Sequence, residues 1–291
     1  MSVIYLNGSM VDSSTARIDP ADRGFTLGDG VFETMRVANG RVFRLGDHLH
    51  RLADAARRTG IPLPAGIAAA VHRTVSANDV ADGGARITLT RGRSAPGLRT
   101  AGSSDPTLLI TVFPYRASSS LLETGARAIL SRGRLNPEGL AAGLKHVGYM
   151  EAILAQREAD AAGVDEAILL DTRGNLAEAA AANLFLVRSG ELLTPSLACG
   201  VLPGITRAIV IALASSAGAR VREGEFRPAE LRGAGESFLT SSLRGIVPLV
   251  EVDGRAIGDG RVGALTRRIQ AAHADLVLNE TGARVVHDED A

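Results

Sequence analysis

Residues 22–33 of the chain read DRGFTLGDGVFE, and this stretch decides between two different folds. A dinucleotide-binding loop would carry its glycines as G-x-G-x-x-G and would open a helix, whereas here only Gly28 and Gly30 are spaced in that way. The residues that follow, 31–37, have the composition of a strand. We therefore expect the two glycines to let the backbone pass close to another element.

Antiparallel strands are predicted on both sides of this stretch. Asn7-Gly8 and Asn39-Gly40 each separate two runs of strand-forming residues, which is the sequence signal of a tight hairpin. A helix is predicted to follow, with Asp47 as its N-cap, Thr59 near its end and Gly60 as its stop. The first third of the chain therefore mixes strands and helices.

The remaining two thirds show a second α+β pattern, separated from the first by the linker-like segment Pro114–Ser120. One strand is predicted over Leu176–Val187 and a helix over Ile205–Ala217. The sequence thus predicts an α+β chain of two domains. The expected boundaries are a small N-terminal domain at 1–117, a linker at 118–122, a larger domain at 123–280 and a flexible tail at 281–291.

Composition excludes several classes of function. The 32 basic and 32 acidic side chains cancel, and aromatic residues make up 3% of the chain, so neither nucleic acid nor an acidic membrane is an expected partner. No apolar run approaches the length of a membrane span, and Cys199 is the single cysteine, so no intrachain disulfide is possible. A cytoplasmic enzyme of small molecules, without a bound metal, is the expectation.

Lysine usage points to amine chemistry. The 32 basic residues include one lysine, Lys145, and all the others are arginine. Arginine replaces lysine well as a surface charge, but a guanidinium stays protonated and cannot attack a carbonyl, whereas a lysine amine forms Schiff bases. A lone surviving surface lysine is the competing interpretation, and the neighbouring motifs decide against it.

Several other segments could bind a phosphorylated aromatic cofactor. Gly204-Ile205-Thr206 lies where a loop becomes a helix, and amides at a helix start favour a phosphate. Ser241 and Ser242 add hydroxyls, and Arg51 adds a charge that can bind two oxygens. Glu178 lies among alanines, where a carboxylate needs a partner such as a protonated ring nitrogen. Each signal also has an ordinary structural interpretation.

Together, and in this order, the motifs resemble those of the class IV, or fold type IV, pyridoxal-phosphate (PLP) enzymes. The family includes D-amino-acid transaminases, branched-chain aminotransferases and 4-amino-4-deoxychorismate lyases. The segments that carry the resemblance are DRGFTLGDGVFE at 22–33, HLHRL at 48–52, GLKH at 143–146 with Tyr149, Glu178 with NLF at 183–185, LPGITR at 202–207 and TSS at 240–242.

The resemblance implies a small N-terminal α/β domain, a larger C-terminal domain with a barrel-like sheet, and a homodimer. It implies that Lys145 is the catalytic Schiff-base lysine and that Glu178 binds the pyridine nitrogen. It implies that the cofactor phosphate is bound by the following residues: Arg51, Ile205, Thr206, Ser241 and Ser242. Removal of the substrate α-proton, and its delivery to the cofactor carbon, would fall to the freed Lys145 amine.

The resemblance leaves three reactions open. The opening segment is most like that of D-amino-acid transaminases, which favours D-alanine as donor and 2-oxoglutarate as acceptor. Residues 143–146 and Asn136-Pro137 are more like the lyases, which form 4-aminobenzoate and pyruvate, and Phe32 also suits the branched-chain L-amino-acid enzymes. Phe32 and Leu243 are the expected apolar contacts of the substrate. Pro96 stands where D-amino-acid transaminases have a carboxylate-binding arginine, so Arg93 and Arg99 are the candidates for that role.

Overall fold

The computed structural model describes residues 2–100, 105–214, 216 and 219–282, and it divides the chain into two compact units. Within these residues it contains eight α-helices and fifteen strands. The first unit consists of residues 2–115, a short piece at Leu144–Gly148, and residues 277–282. The second consists of Arg116–Gly143 and Tyr149–Leu276. The domain boundaries expected from the sequence stay a prediction, and residues 283–291 of the expected tail lie outside the described part.

A six-stranded antiparallel sheet forms the core of the first unit, in the order β2-β1-β6-β5-β3-β4. Its core face is covered by helices α2 and α3 and contains alternate residues of β3 and β5, such as Met35 and Ile87. The elements are β1 (Val3–Leu6), β2 (Ser9–Asp12), α1 (Arg23–Leu27), β3 (Gly30–Ala38), β4 (Arg41–Val42), α2 (Leu45–Thr59), α3 (Ile67–Asn78), β5 (Gly83–Thr90) and β6 (Thr107–Pro114).

Turn and cap residues explain most of these boundaries. Asn39 and Gly40 both have positive φ, at 50° and 68°, and join the paired strands β3 and β4 as the Asn-Gly signal predicts. Gly60 caps α2 at φ 64°, also as predicted. The predicted N-cap Asp47 is wrong. The N-cap of helix α2 is Arg44, three residues earlier and in a left-handed conformation, and Asp47 lies in the first turn.

The second unit is built around a closed barrel of six strands. Strands β10, β13, β14, β7, β8 and β9 pair in that order, and β9 pairs back with β10. Its elements are α4 (Ser119–Thr124), β7 (Ala126–Leu135), α5 (Met150–Ala162), β8 (Glu166–Asp171), β9 (Leu176–Ala179), β10 (Ala182–Arg188), β11 (Glu191–Pro195), a 3-10 turn (Leu197–Cys199), α6 (Ile205–Leu213), β12 (Arg220–Gly224), α7 (Pro228–Arg232), β13 (Glu236–Ser241), β14 (Gly245–Val252), β15 (Arg255–Ala256) and most of α8 (Ala264–Thr281). The last turn of α8, from Val277, belongs to the first unit. A barrel-like sheet was predicted, and small apolar side chains such as Ala128 and Ala179 fill its core.

The structure corrects three sequence-based boundaries. Leu176–Val187 is a hairpin, because the chain turns at 180–181 and sends β10 back along β9. An all-alanine turn has no glycine, proline or asparagine to mark it. The linker-like segment includes the start of α4, whose first turn is capped by the Ser118 side chain. Helix α6 ends at Leu213, and positions 215 and 217 of the predicted helix lie outside the described residues.

Across the described ranges, no helix is both long enough and apolar enough to cross a membrane.

Candidate active site

One face of the first unit's sheet is polar and lies opposite the helices. On β3 and β5 the side chains alternate, so Val31 and Ile87 point to the core while Phe32 and Arg86 share the opposite face. Phe32 pairs across the ladder with Thr88, and Arg86 pairs with Thr34. A cation and an aromatic ring therefore lie as neighbours on this face.

The backbone of Lys145 is fixed against the start of β3. The Phe32 N–H donates to the Lys145 carbonyl at 2.9 Å, and the Val147 N–H donates to the Gly30 carbonyl at 3.0 Å. On its other side, Gly30 has no room for a side chain, because a Cβ would lie 2.9 Å from the Leu89 carbonyl oxygen. The close approach expected of Gly30 is therefore to strand β5, and the two backbone hydrogen bonds join β3 to the lysine segment.

Two cations contact the ring of Phe32. The Lys145 Nζ lies 4.3 Å and the Arg86 Cζ lies 3.7 Å from its centroid, within the range of cation–π contacts. The ring itself is 5% exposed. Arg86 was not among the residues singled out from the sequence, although polar side chains alternate with Ala85, Ile87 and Leu89 along β5 and mark a second functional face.

Arg51 forms a buried bidentate ion pair with Glu33, the last residue of the opening motif. The Arg51 Nε and Nη2 each lie 2.7 Å from one oxygen of Glu33, and the His48 Nδ1 lies 2.7 Å from Oε2. Burial raises the pKa of Glu33, but hydrogen bonds and charge from Arg51 and His48 outweigh it and hold that pKa below its ordinary value. Glu33 therefore orients the guanidinium of Arg51.

The loop after β5 carries the two arginines predicted to bind a substrate carboxylate. Arg93 Nε lies 3.7 Å from Asp19 Oδ2, and both side chains are largely exposed. Arg99 is exposed, and its carbonyl accepts from the buried Arg23 at 3.4 Å. In the first unit the structure brings together Lys145, Phe32 and Arg86, and it holds Arg51 on Glu33.

Glu178 of the second unit is held by two donors. Its Oε2 accepts from the Asn183 Nδ2 and from the Leu202 N–H, both at 3.0 Å. Asn183 lies directly opposite Glu178 in the β9–β10 pair and also donates to the Leu202 carbonyl at 2.9 Å. The alanine turn at 180–181 creates this pairing, so the neighbours of Glu178 could not be predicted while the segment was taken as one strand.

Helix α6 begins at Gly204 without a side-chain cap. The first amides of a helix have no intrahelical acceptor, and they carry the positive end of the helix dipole. Gly204 cannot be replaced without movement, because a Cβ there would overlap the Asn183 Oδ1. The buried Thr206 lies in the first turn. Asn183 therefore joins the Glu178 carboxylate to the start of α6.

The strand β13 ends in the hydroxyl-rich turn that was predicted from the sequence. Thr240 pairs with Asn183 across the sheet, and its buried Oγ1 has no hydrogen-bond partner within the part of the chain described. Ser241 accepts from the Arg244 N–H at 3.4 Å, and Ser242 and Leu243 follow it, half-buried. The second unit thus places the α6 start beside Asn183, and Thr240, which precedes the two serines, opposite it.

Comparison with known proteins identifies the class. Residues 30–252 match the model of the amino-transferase class IV family, and the chain therefore belongs to that family. The chain is 37% identical to a Methanocaldococcus jannaschii protein named for branched-chain-amino-acid aminotransferase activity, over 94% of this chain and 96% of the relative. It is 29% identical to the D-alanine aminotransferase of Bacillus licheniformis, over 98% of this chain and 100% of the relative.

A solved structure with the third activity is also similar. The 4-amino-4-deoxychorismate lyase of Pseudomonas aeruginosa superposes with a TM-score of 0.82 at 32% identity, covering 95% of this chain and 98% of the lyase. The predictions of a fold type IV enzyme and of an aminotransferase are confirmed. The three relatives have three different named activities, so membership of the family does not settle the substrate.

Class IV aminotransferases use PLP, which confirms the predicted cofactor, and the described residues fit it. A phosphate needs donors, and the second unit offers a helix start without a side-chain cap and a buried Thr240 hydroxyl without a partner, both judged among the described residues. A pyridinium needs a carboxylate, and Glu178 is already held in place by two donors. An aldehyde needs an amine, and Lys145 is the one side chain in the sequence that supplies it.

Proposed function

We propose that this aminotransferase moves an amino group between a branched-chain L-amino acid and a keto acid such as 2-oxoglutarate, with PLP as cofactor. The geometric observation that carries the proposal is the placement of Arg86 and Lys145 on one aromatic ring. The choice of a branched-chain L-amino acid is supported by the 37% identity to the relative named for that activity. Beside the reacting amine, the apolar ring suits a substrate with an apolar side chain, and the cation suits a substrate with a second carboxylate. The two substrates would bind one after the other.

The roles toward the cofactor follow the sequence-based hypothesis. PLP, when bound, withdraws electrons from the carbon that loses its proton. The Lys145 Nζ would bind the cofactor, then remove the α-proton of the substrate and deliver it to the cofactor carbon that takes up the amino group. Glu178 keeps the ring nitrogen protonated. The phosphate ligands in this proposal are Arg51, Ile205, Thr206, Ser241 and Ser242.

Arg86 takes the substrate role that the sequence suggested for Arg93 or Arg99. The Arg86 guanidinium and the Lys145 amine both contact the ring of Phe32, so the distance between them cannot exceed the sum of their distances to the ring centroid. Arg86 is therefore close to the amine that reacts. Arg93, in contrast, is exposed and paired with Asp19. A carboxylate in a site shielded from water needs such a charged partner. Phe32 and Leu243 would contact the apolar side chain.

A D-amino acid as donor is the second candidate. It is supported by the opening segment 22–33 and by the similarity to the D-alanine aminotransferase. The lyase reaction is the third, supported by residues 143–146 and by the similar lyase structure. The homodimer and the cytoplasmic location expected from the sequence stay predictions.

The deciding experiment mixes the holoenzyme with single substrates and follows the cofactor spectrum. The panel contains L-leucine, L-isoleucine, D-alanine and aminodeoxychorismate. Conversion of the cofactor to its aminated form by the L-amino acids alone supports the proposal. Conversion by D-alanine alone contradicts it in favour of the second candidate, and release of 4-aminobenzoate and pyruvate without a keto acid favours the lyase.

A variant separates the role of Arg86 from that of the loop. Arg86→Gln should raise the KM for 2-oxoglutarate about tenfold or more, because it removes a charge-assisted contact, and should affect a monocarboxylic keto acid much less. Arg93→Gln is the matched control, and it should leave both values near those of the unchanged enzyme. A raised KM for 2-oxoglutarate in Arg93→Gln, with little change in Arg86→Gln, would indicate that Arg93 binds the carboxylate.

A further inference from the structure

A buried cluster of one carboxylate and two arginines lies at the start of β3 in the first unit. Asp29 Oδ2 accepts from the Arg23 Nε at 2.7 Å and from the Arg91 Nε at 2.8 Å. The two arginine side chains are 6% and 9% exposed. Burial raises the pKa of Asp29, but the hydrogen bonds and charges of Arg91 and Arg23 outweigh it and lower that pKa. Asp29 is therefore charged, and it joins the two arginines in what we call the Asp29 cluster.

The two arginines bind the same carboxylate but hold different segments. Arg91 donates to the carbonyls of Thr59 and Gly60, at 2.7 and 2.8 Å, where α2 ends. Arg23 instead reaches the loop at residues 94–99. Its Nη1 donates to the Gly97 carbonyl at 2.8 Å, with longer contacts of 3.4–3.5 Å to Ser94 and to the carbonyls of residues 98 and 99.

The loop depends on this contact because its own side chains lie largely in solvent. Gly97 has a φ of 117°, and Leu98 is 84% exposed. At its start the loop is joined to the same motif, since the Arg23 N–H donates to the Gly92 carbonyl at 2.9 Å. The planar fork of an arginine suits several carbonyls at once, which a lysine cannot match.

The Asp29 cluster is also connected by backbone hydrogen bonds to the segment that contains Lys145. The Arg91 N–H donates to the Asp29 carbonyl at 3.1 Å, and the next carbonyl along, that of Gly30, accepts from the Val147 N–H. A shift of Asp29 would therefore move both the loop and the strand that fixes Lys145.

We propose that Arg23, oriented by Asp29, is a positioning residue that holds the loop at residues 94–99 in place and thereby sets the affinity of the enzyme for its amino substrate. The proposal rests on the proposed function only in assuming turnover, and not on which amino compound is the donor. A loop that is already ordered adds no ordering cost when substrate binds, whereas a released loop must be ordered at that moment. The proton transfer at the Lys145 Nζ does not use Arg23.

The test compares Arg23→Met and Arg23→Lys with the control Arg91→Met. The substrate is whichever panel compound the unchanged holoenzyme consumes. Hydrogen exchange of residues 94–99 is measured without substrate, and KM and kcat are measured separately. Arg23→Met should speed exchange in the loop and raise KM about tenfold, the loss of one charge-assisted contact, with kcat within about twofold by the same reasoning. Arg23→Lys should fall between.

Arg91→Met should lower thermal stability without faster exchange in the loop, because Arg91 holds the end of α2. If the loop exchanges no faster in either Arg23 variant, Arg23 does not hold it and the proposal is overturned. Faster exchange with an unchanged KM overturns the link to substrate affinity. If Arg23→Met does not fold, Arg23→Lys decides by the same two readings. The exchange reading needs no substrate, so it is distinguishable from a failure of the proposed function.

Discussion

At the scale of single residues, Lys145 and Arg86 contact the same ring of Phe32 but differ in how they can be recognised. Lys145 could be identified from the sequence because every other basic residue is an arginine. Arg86 could not, because its importance comes from a ring on the neighbouring strand, and cross-strand neighbours depend on a register that composition does not specify.

Reduction of the holoenzyme with borohydride should fix the cofactor to the peptide that contains Lys145. Within the sequence, only the N-terminal amine can compete, because the guanidinium groups do not form Schiff bases. Peptide mapping by mass spectrometry gives the position of the label. The control is Lys145→Arg, which keeps the charge and should lose the label. A label on the N-terminal amine alone would contradict the assignment.

Glu178→Gln should leave the fold intact and slow turnover about ten- to a hundredfold, because a neutral amide holds a pyridinium less well. The amide keeps the shape of the carboxylate, so the contacts of Asn183 and Leu202 are disturbed little. Single-turnover kinetics followed by cofactor absorbance measure the step. Glu191→Gln, at an exposed pair with Arg222, is the control. A variant as fast as the unchanged enzyme would remove Glu178 from the mechanism.

At the scale of elements, a helix end could be predicted from a glycine in the sequence. The pairing of the strands could not be predicted and is known from the structure. Gly60 ends α2 where the sequence predicts, and Gly163 ends α5 in the same left-handed conformation. The hairpin of β9 and β10 was missed because its turn consists of alanines. Because the hairpin was missed, the position of Asn183 beside Glu178 was missed as well. Asn183 is the residue that connects Glu178 to the start of α6.

Both elements that are proposed to supply phosphate donors can be tested by their effect on cofactor affinity. Arg51→Ala and Thr206→Ala should each weaken PLP binding about ten- to a hundredfold, the worth of one charge-assisted hydrogen bond. Equilibrium dialysis or fluorescence titration measures the Kd. Arg57→Ala on the exposed side of the same helix α2 should not change it. If both variants bind PLP as tightly as the unchanged chain, the phosphate lies elsewhere.

The ion pair between β3 and α2 should make stability depend on pH. The folded-state pKa of Glu33 lies below the ordinary value of 4.5, so the pair stabilises the fold above that pH and loses its contribution as the pH falls further. Glu33→Gln should cost about 3–5 kcal/mol at pH 7, because it leaves the largely buried guanidinium of Arg51 without a carboxylate.

Urea unfolding at pH 7 and at several acid pH values measures this effect. The difference in midpoint between Glu33→Gln and the unchanged chain should shrink as the pH falls below about 4.5. Asp47→Asn is the control, because that exposed side chain pairs weakly with Arg44 at 3.4 Å. A difference that stays constant with pH would mean that Glu33 contributes through packing alone.

At the scale of the whole molecule, the first unit is assembled from three separate parts of the chain. The end of α8 belongs to it: Asn39 donates to the Thr281 carbonyl at 3.1 Å, and Arg44 pairs with Glu280 at 2.9 Å. Val277 and Thr281 are 2% and 1% exposed. The two-domain pattern could be predicted from composition, but these late residues could not be assigned to the first unit, because their contacts span more than two hundred positions.

Ending the chain after Leu276 should therefore destabilise the first unit. Loss of the buried Val277 alone removes about 1.5–3 kcal/mol, and the hydrogen bond to Asn39 goes with it. Thermal unfolding followed by circular dichroism measures the change in Tm. The matched control ends after Gly282, keeps every contact described above and should lose less. An equal Tm for the two truncations would show that the end of α8 does not support the first unit.

This discontinuous first unit has a consequence for how the protein is made. The strands of the six-stranded sheet leave the ribosome early in synthesis. The partners of Asn39 and Arg44 at the end of α8 are synthesised more than two hundred residues later. During that interval the nascent chain exposes a unit that still lacks Val277 and Thr281, as well as the segment around Lys145 for part of the time. Synthesis of this enzyme therefore includes a period in which an unfinished unit needs protection from misassembly, and its length is set by the rate of translation.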